Sequence, residues 1–240
     1  MAGPALTEYW PERFGLGERE LVSFVGAGGK TTLMLGLGSD LADAGRRVVI
    51  TTTTKMAAEQ VQPPVVDSTA KVEANFGRRP GALFVVRRDA ENKVTGPSPV
   101  EINELYRDSS AEYILVEADG SHGRSLKVPA NFEPVIPTAS TTVVVVAGID
   151  AVGASIASAC HRPERVAELL ERPVTHQLQP ADVAKVITSA RGGMKDVPAA
   201  ARVVVAVTKV GSTDMDAARQ LSILVTKDPD INRVVVVPRF

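Results

Sequence analysis

The stretch FVGAGGKTT (Phe24–Thr32) gathers the residue types that can hold a phosphate chain: close-set glycines, a lysine and two hydroxyls. The common phosphate-loop pattern is G-x-x-x-x-G-K-[ST]. Counting back from Gly29, its first glycine falls at position 24, where this chain has Phe24. What remains, Gly26 to Thr32, is a shortened loop that keeps the working parts. Backbone amides of Gly26, Ala27, Gly28 and Gly29 can approach a phosphate without Cβ clashes, and a following helix would add its positive N-terminal end. Lys30 is placed to reach the outer phosphates. The Thr31 hydroxyl is placed to ligate a magnesium ion bridging them, and Thr32 completes the first turn.

Phosphate with magnesium calls for carboxylates at the end of a neighbouring strand. YILVEADGSHGRSLK (113–127) supplies them: an apolar run ends at Glu117, with Asp119 two residues on. Side chains two apart in an extended chain point to the same side. Glu117 and Asp119 are therefore read as metal-binding and catalytic residues, one holding the metal's water shell and the other orienting a nucleophile. In the loop beyond, Arg124 and Lys127 could neutralise charge on phosphate. At another strand end, TTTTKM (51–56) brings hydroxyls and Lys55, a further catalytic candidate, to the edge where open α/β sheets bind ligands. Thr52 to Thr54 read equally well as β-formers and a helix cap.

Strand and helix patterns alternate to position these groups. Apolar runs predict strands at 21–25, 47–51, 83–86, 113–118, 142–147, 203–208 and 233–237. Most are continuous rather than alternating, as in strands covered on both faces of a parallel sheet. Helices are expected over 31–44 (closed by Gly45), 99–108, 163–171, 180–190 and 214–226. The fold class is α/β, a mainly parallel sheet flanked by helices in the P-loop NTPase manner. Residues 1–19 read as an N-terminal arm and 20–240 as one domain, with a small insertion at 67–100, where DAENKVTGPSP (89–99) reads as turn and linker.

Composition narrows the classes. A chain of 240 residues, 44% hydrophobic, can bury a sizeable core. Net charge of −1 provides no field for nucleic acid or anionic lipid. One cysteine, Cys160, excludes an internal disulfide framework and a cysteine-rich metal site, and reads as packing. His122, His161 and His176 are too scattered for a three-histidine metal site; His161 precedes a helix start with Arg162, and His176 reads as surface. The N-terminus lacks a signal-peptide pattern. The least charged run, 141–160, contains Asp150 and several hydroxyls, so it reads as strand and loop rather than as a membrane span of about 20 apolar residues. A cytoplasmic protein is expected.

The loop resembles the short G-x-x-G-K-T-T loop that binds ATP in Mur ligases and folylpolyglutamate synthases. Over roughly residues 20–212, the ordered blocks FVGAGGKTTL, VVITTTTKM, ILVEADGSHGRSLKVPANFEPVIP, HRPERVAELL and GGMKDVP resemble the YqeC family, accessory proteins of selenium-dependent molybdenum hydroxylases. The resemblance implies a P-loop nucleotide-binding fold and a part in maturing such an enzyme, with the hydroxylase or its maturation proteins as partners. It also implies an N-K-x-D-like segment near VVVAVTKVG (203–211), where Thr208 and Lys209 would contact the nucleotide. Gly211 stands in place of the guanine-reading aspartate, and Asp214 is the available substitute. ATP and GTP both stay open, with Mg²⁺ as cofactor, and Arg124 is carried as a nucleotide contact. Three readings stand: a magnesium-dependent nucleotide-hydrolysing or nucleotide-activating enzyme; an ATP-dependent small-molecule ligase or kinase; and a nucleotide-switched chaperone with little turnover of its own. The oligomeric state is not legible.

Overall fold

The structure, a computed structural model, describes residues 10–62, 64–76, 81–89 and 92–239. Eight strands form one sheet: β1 (Glu20–Gly26), β2 (Arg47–Thr52), β3 (Val65–Val66), β4 (Gly81–Val85), β5 (Tyr113–Glu117), β6 (Thr142–Gly148), β7 (Arg202–Val210) and β8 (Arg233–Pro238). Their spatial order is β8-β7-β6-β1-β5-β2-β4-β3. Every pairing is parallel, so all carboxyl ends lie along one edge. All seven expected strands are present. The eighth, Val65–Val66, is too short for a sequence pattern to reveal.

The continuous apolar runs are explained by burial on both faces. On one face Val25, Val143, Val145, Val203 and Val205 join a core completed by Val166, Val183 and Leu221. On the other, Val22, Phe24, Val144, Val146 and Val204 pack with Leu33, Met34, Leu37 and Leu41. Alternate residues of each strand thus serve opposite cores. The five expected helices are α1 (Lys30–Asp43), α2 (Pro99–Asp108), α3 (Pro163–Leu170), α4 (Pro180–Thr188) and α5 (Met215–Val225). Gly45, at φ +77, ends α1 as expected, with N–H bonds back from Gly45 to Ala42 and from Arg46 to Leu41.

Two expectations about segments are refined. Of the arm at 1–19, residues 1–9 lie outside the described residues. Residues 10–16 lie against the core rather than apart from it, while Gly17 to Arg19 are exposed: Phe14 is fully buried, Arg13 Nη2 donates to Val236 O at 2.8 Å, and Arg202 Nη1 donates to Gly15 O at 2.8 Å. The segment at 67–100 is divided. Its Gly81–Val85 is a strand of the main sheet, while Arg87–Arg88 and Lys93–Thr95 pair antiparallel with each other, and Lys93–Thr95 also pairs with Lys55–Ala57. Residues 77–80 and 90–91 of that segment lie outside the described residues. Among the described residues no helix is long and apolar enough to cross a membrane.

Candidate functional site

β1 runs into the glycine loop, and the loop runs directly into α1. Gly26, Gly28 and Gly29 have φ of +92°, +101° and +99°, a region that L side chains rarely adopt. Two of them also allow close backbone packing: a Cβ on Gly26 would lie 2.4 Å from Val146 O, and one on Gly28 would lie 2.2 Å from Gly148 N. The loop is thereby pressed against the end of β6, and Ala27 N–H donates to Val146 O at 2.9 Å. Gly29 is the N-cap of α1 and supplies no side-chain cap, so the first-turn amides face the loop without one.

β5 lies directly beside β1, with Phe24 in register with Glu117. The two halves of the sequence reading therefore meet. Thr31 Oγ1 donates to Glu117 Oε2 at 2.5 Å. Lys30 Nζ donates to Gly26 O at 2.6 Å and lies 3.1 Å from Asp119 Oδ1. Asp119 Oδ2 accepts from Gly26 N–H at 3.1 Å and pairs with Lys127 Nζ at 3.0 Å. Lys30 is only 3% exposed and Asp119 2%. Asp119 Oδ1 faces the Lys30 ammonium yet receives no hydrogen bond, leaving a buried acceptor at the glycine loop. Burial raises the Glu117 carboxyl above its usual range; the Lys30 charge and the Thr31 hydrogen bond oppose this without cancelling it. The donor set is oxygen only, two carboxylates and a hydroxyl, which fits a hard divalent cation such as Mg²⁺.

Lys127 is a correction. Expected to face phosphate from a closing loop, it is fully buried beneath Asp119. It donates to Gly120 O at 2.7 Å and to Glu133 Oε2 at 2.9 Å. Glu133, which sequence reasoning missed, also accepts from Arg162 Nη1 at 2.6 Å. Burial acts to raise the Glu133 carboxyl, but the hydrogen bonds and charges of Arg162 and Lys127 hold it down to about 2. Arg162, beside His161 at the start of α3, is thus engaged with Glu133.

The remaining expected residues surround this centre at varying distance. The Thr208 hydroxyl donates to Gly28 O and so braces the glycine loop from β7. Lys209 Nζ donates to Ser125 Oγ at 2.8 Å and to Asp150 Oδ2 at 2.9 Å. A cavity of about 180 Å³ opens beside the loop, with Thr32 and Leu33 on one wall and Lys209, Pro238 and Arg239 on the other. Asp214 Oδ2 accepts from Gly211 N–H at 2.9 Å, so it closes its own turn at the start of α5. Arg124 is exposed and donates to Ser158 O at 2.5 Å. Lys55 is exposed and pairs with Asp89 at 2.8 Å on the small antiparallel sheet; the structure does not bring it to Lys30 or Thr31. Thr51 and Thr52 are buried and tie strands together, through Val85 O at 2.6 Å and Glu117 O at 2.9 Å, while Thr53 donates to Val135 O at 2.7 Å.

The histidines and the cysteine are placed as follows. His122 and His161 stack with ring centroids 4.7 Å apart. Burial, with the Arg162 and Lys127 charges, lowers His161 to about 4. His176, expected at the surface, is partly covered and pairs with Asp182 at 2.8 Å. Cys160 is buried and its thiol is pushed up to about 12, which suits packing rather than a nucleophile. Asp150 and Ser125 were missed as partners of Lys209. The available signal for Asp150 was its place just after an apolar strand, the same cue that identified Glu117 and Asp119.

A family model described as YqeC protein matches residues 22–164. Among curated proteins, one from Escherichia coli (strain K12), "Uncharacterized protein YqeC", is 35% identical over 186 residues, covering 76% of this chain and 73% of that protein. Among solved structures, HypB from Helicobacter pylori in complex with nickel aligns with a TM-score of 0.39 and 11% identity, over 92% of this chain and 80% of that one.

Proposed function

This chain belongs to the YqeC family, and from that premise we propose that it is a magnesium-dependent nucleoside triphosphatase serving the maturation of a selenium-dependent molybdenum hydroxylase. The observation that carries the nucleotide part is the meeting of two sequence-distant pairs: Thr31 with Glu117 at 2.5 Å, and Lys30 with Asp119 at 3.1 Å. The phosphate lysine, the metal-binding hydroxyl and two carboxylates share one strand-end site. The hydroxylase part rests on the family resemblance.

Each residue has a distinct task in this reading. The amides of Gly26 to Gly29 and the N-terminus of α1 receive the phosphates. Lys30 leaves Asp119 for the outer phosphates, while Asp119 keeps Lys127 and the Gly26 amide. Thr31, Glu117 and, once Lys30 has moved, Asp119 Oδ1 would hold Mg²⁺, which would supply charge neutralisation on the phosphoryl group. Glu117, through that position, also orients the attacking water. The nucleoside lies in the cavity between Leu33 and Arg239. Single-turnover hydrolysis tests this assignment. Glu117→Gln keeps the shape and removes the charge, and should cut turnover by about 10²-fold or more with a smaller effect on nucleotide affinity. Asp119→Asn should weaken magnesium-dependent binding. Unchanged magnesium dependence in both variants contradicts the assignment. For the hydroxylase part, cells lacking this protein should lose hydroxylase activity, with recovery from the parent gene and none from Lys30→Ala.

A further inference from the structure

Three stretches take no part in the phosphate site: VPANFEP (128–134), HRPERVAELL (161–170) and RGGMKD (191–196). The fold brings all three to one cavity of about 330 Å³, within the range of small-molecule pockets. Its walls carry Arg165, Arg191 and Lys195 against one carboxylate, Glu168. Glu168 is engaged by Arg191. The Arg165 guanidinium is held in place by neutral acceptors, Pro129 O at 3.1 Å and Asn131 Oδ1 at 2.9 Å, which fix its direction without offsetting its charge. Lys195 Nζ is held by Asn131 O at 3.3 Å, by Glu133 O at 2.6 Å and by Asp196. Arg191 and Lys195 each have a carboxylate partner, so the wall's excess charge is that of the fixed Arg165 guanidinium, which suits an oxyanion or carboxylate.

This cavity is joined to the glycine loop by a hydrogen bond to the Glu133 backbone, and from the Glu133 side chain onward by alternating charge. Lys195 grips the Glu133 backbone; the Glu133 side chain binds Lys127, Lys127 pairs with Asp119, and Asp119 pairs with Lys30. Lys127 and Asp119 are buried, so drawing a charge from one end of the series shifts the balance that the remaining members must make. A triphosphate that draws Lys30 from Asp119 therefore changes what Lys127 and Glu133 must balance. An anion that draws Lys195 releases the Glu133 carbonyl and so acts at the other end of the series, and such coupling is reciprocal.

We propose that this cavity is a second binding site, for a small anionic ligand, coupled through Glu133, Lys127 and Asp119 to Lys30. Inorganic phosphate and malonate, titrated separately, distinguish an oxyanion from a dicarboxylate. The binding half is tested in the Lys30→Ala protein, so it stands or falls apart from the nucleotide reading. At least one probe should stabilise that protein saturably. Adding Arg165→Gln should weaken the probe at least tenfold. Arg191→Gln, at an exposed position with little risk to folding, should weaken it at least about fivefold. Absence of saturable stabilisation by both probes, or affinity left unchanged by both arginine substitutions, overturns the site. With Lys30 intact, saturating malonate should change Mg·ATP affinity at least about fivefold, and Arg165→Gln should remove that change. Binding of malonate with no effect on Mg·ATP affinity overturns the coupling.

Discussion

At the scale of single residues, Glu117 is held under tension. Its folded carboxyl titrates above the unfolded one because burial disfavours the charge. The protonated form is therefore the one that the fold accepts. Its contribution to stability is fully present below the unfolded carboxylate range and is lost as pH rises through the folded value. Glu117→Gln should raise the melting temperature at pH 7, and less so at pH 4, while turnover falls. A lower melting temperature at pH 7 would show that the charge is stabilised in place. In the proposed nucleotide site, the base would be read at the cavity end, away from the phosphates. Among the described residues no carboxylate lines the cavity beside Lys209, and Asp214 is engaged with the Gly211 amide. ATP and GTP affinities should then differ by less than about tenfold, or 1.4 kcal/mol, and Gly211→Asp should shift preference toward GTP. A thousandfold GTP preference in the parent would mean that Asp214 turns to read guanine.

At the scale of elements, the glycine loop works because β6 stands immediately behind it. Gly28→Ala meets both a φ of +101° and a Cβ 2.2 Å from Gly148 N. Gly29→Ala meets a φ of +99° but open space. Chemical denaturation should show Gly28→Ala as the larger loss, with Gly29→Ala nearer the roughly 1–2 kcal/mol of left-handed strain alone. Equal losses would mean that the loop moves freely off β6. The order of strands and helices was legible because apolar runs, Gly45 and the helix-starting Pro99, Pro163 and Pro180 are local signals. Glu117 and Asp119 were legible for the same reason: they follow an apolar strand. Lys127 was not. Beside Arg124 in a polar loop it reads as solvent-facing, and its burial depends on Glu133 and on Asp119, which the chain path brings together only in space. Lys55 reads as a ligand contact from its strand end, yet Asp89, on the far side of the small sheet, engages it.

At the scale of the whole molecule, the alternating charges set the acid limit. Glu133 is held down to about 2, so its contribution is present above the ordinary glutamate value of 4.5 and is lost as pH falls toward 2. His161, lowered to about 4, favours the folded state as the neutral ring, and that contribution fades from pH 6.5 down to about 4. Stability should fall in both windows, and His161→Phe should flatten the upper one; an unchanged profile would show that His161 charges without loss. Nucleotide binding at the glycine loop is read out by the shift of melting temperature that ATP or GTP produces with and without magnesium. In the parent, a nucleotide at 100 times its dissociation constant should add about 2.7 kcal/mol to the folded state, with the shift dependent on magnesium. Lys30→Ala should fold and lose that shift, because Asp119 keeps Lys127 and the Gly26 amide. A Lys30→Ala protein stabilised by both nucleotides as fully as the parent would contradict the account.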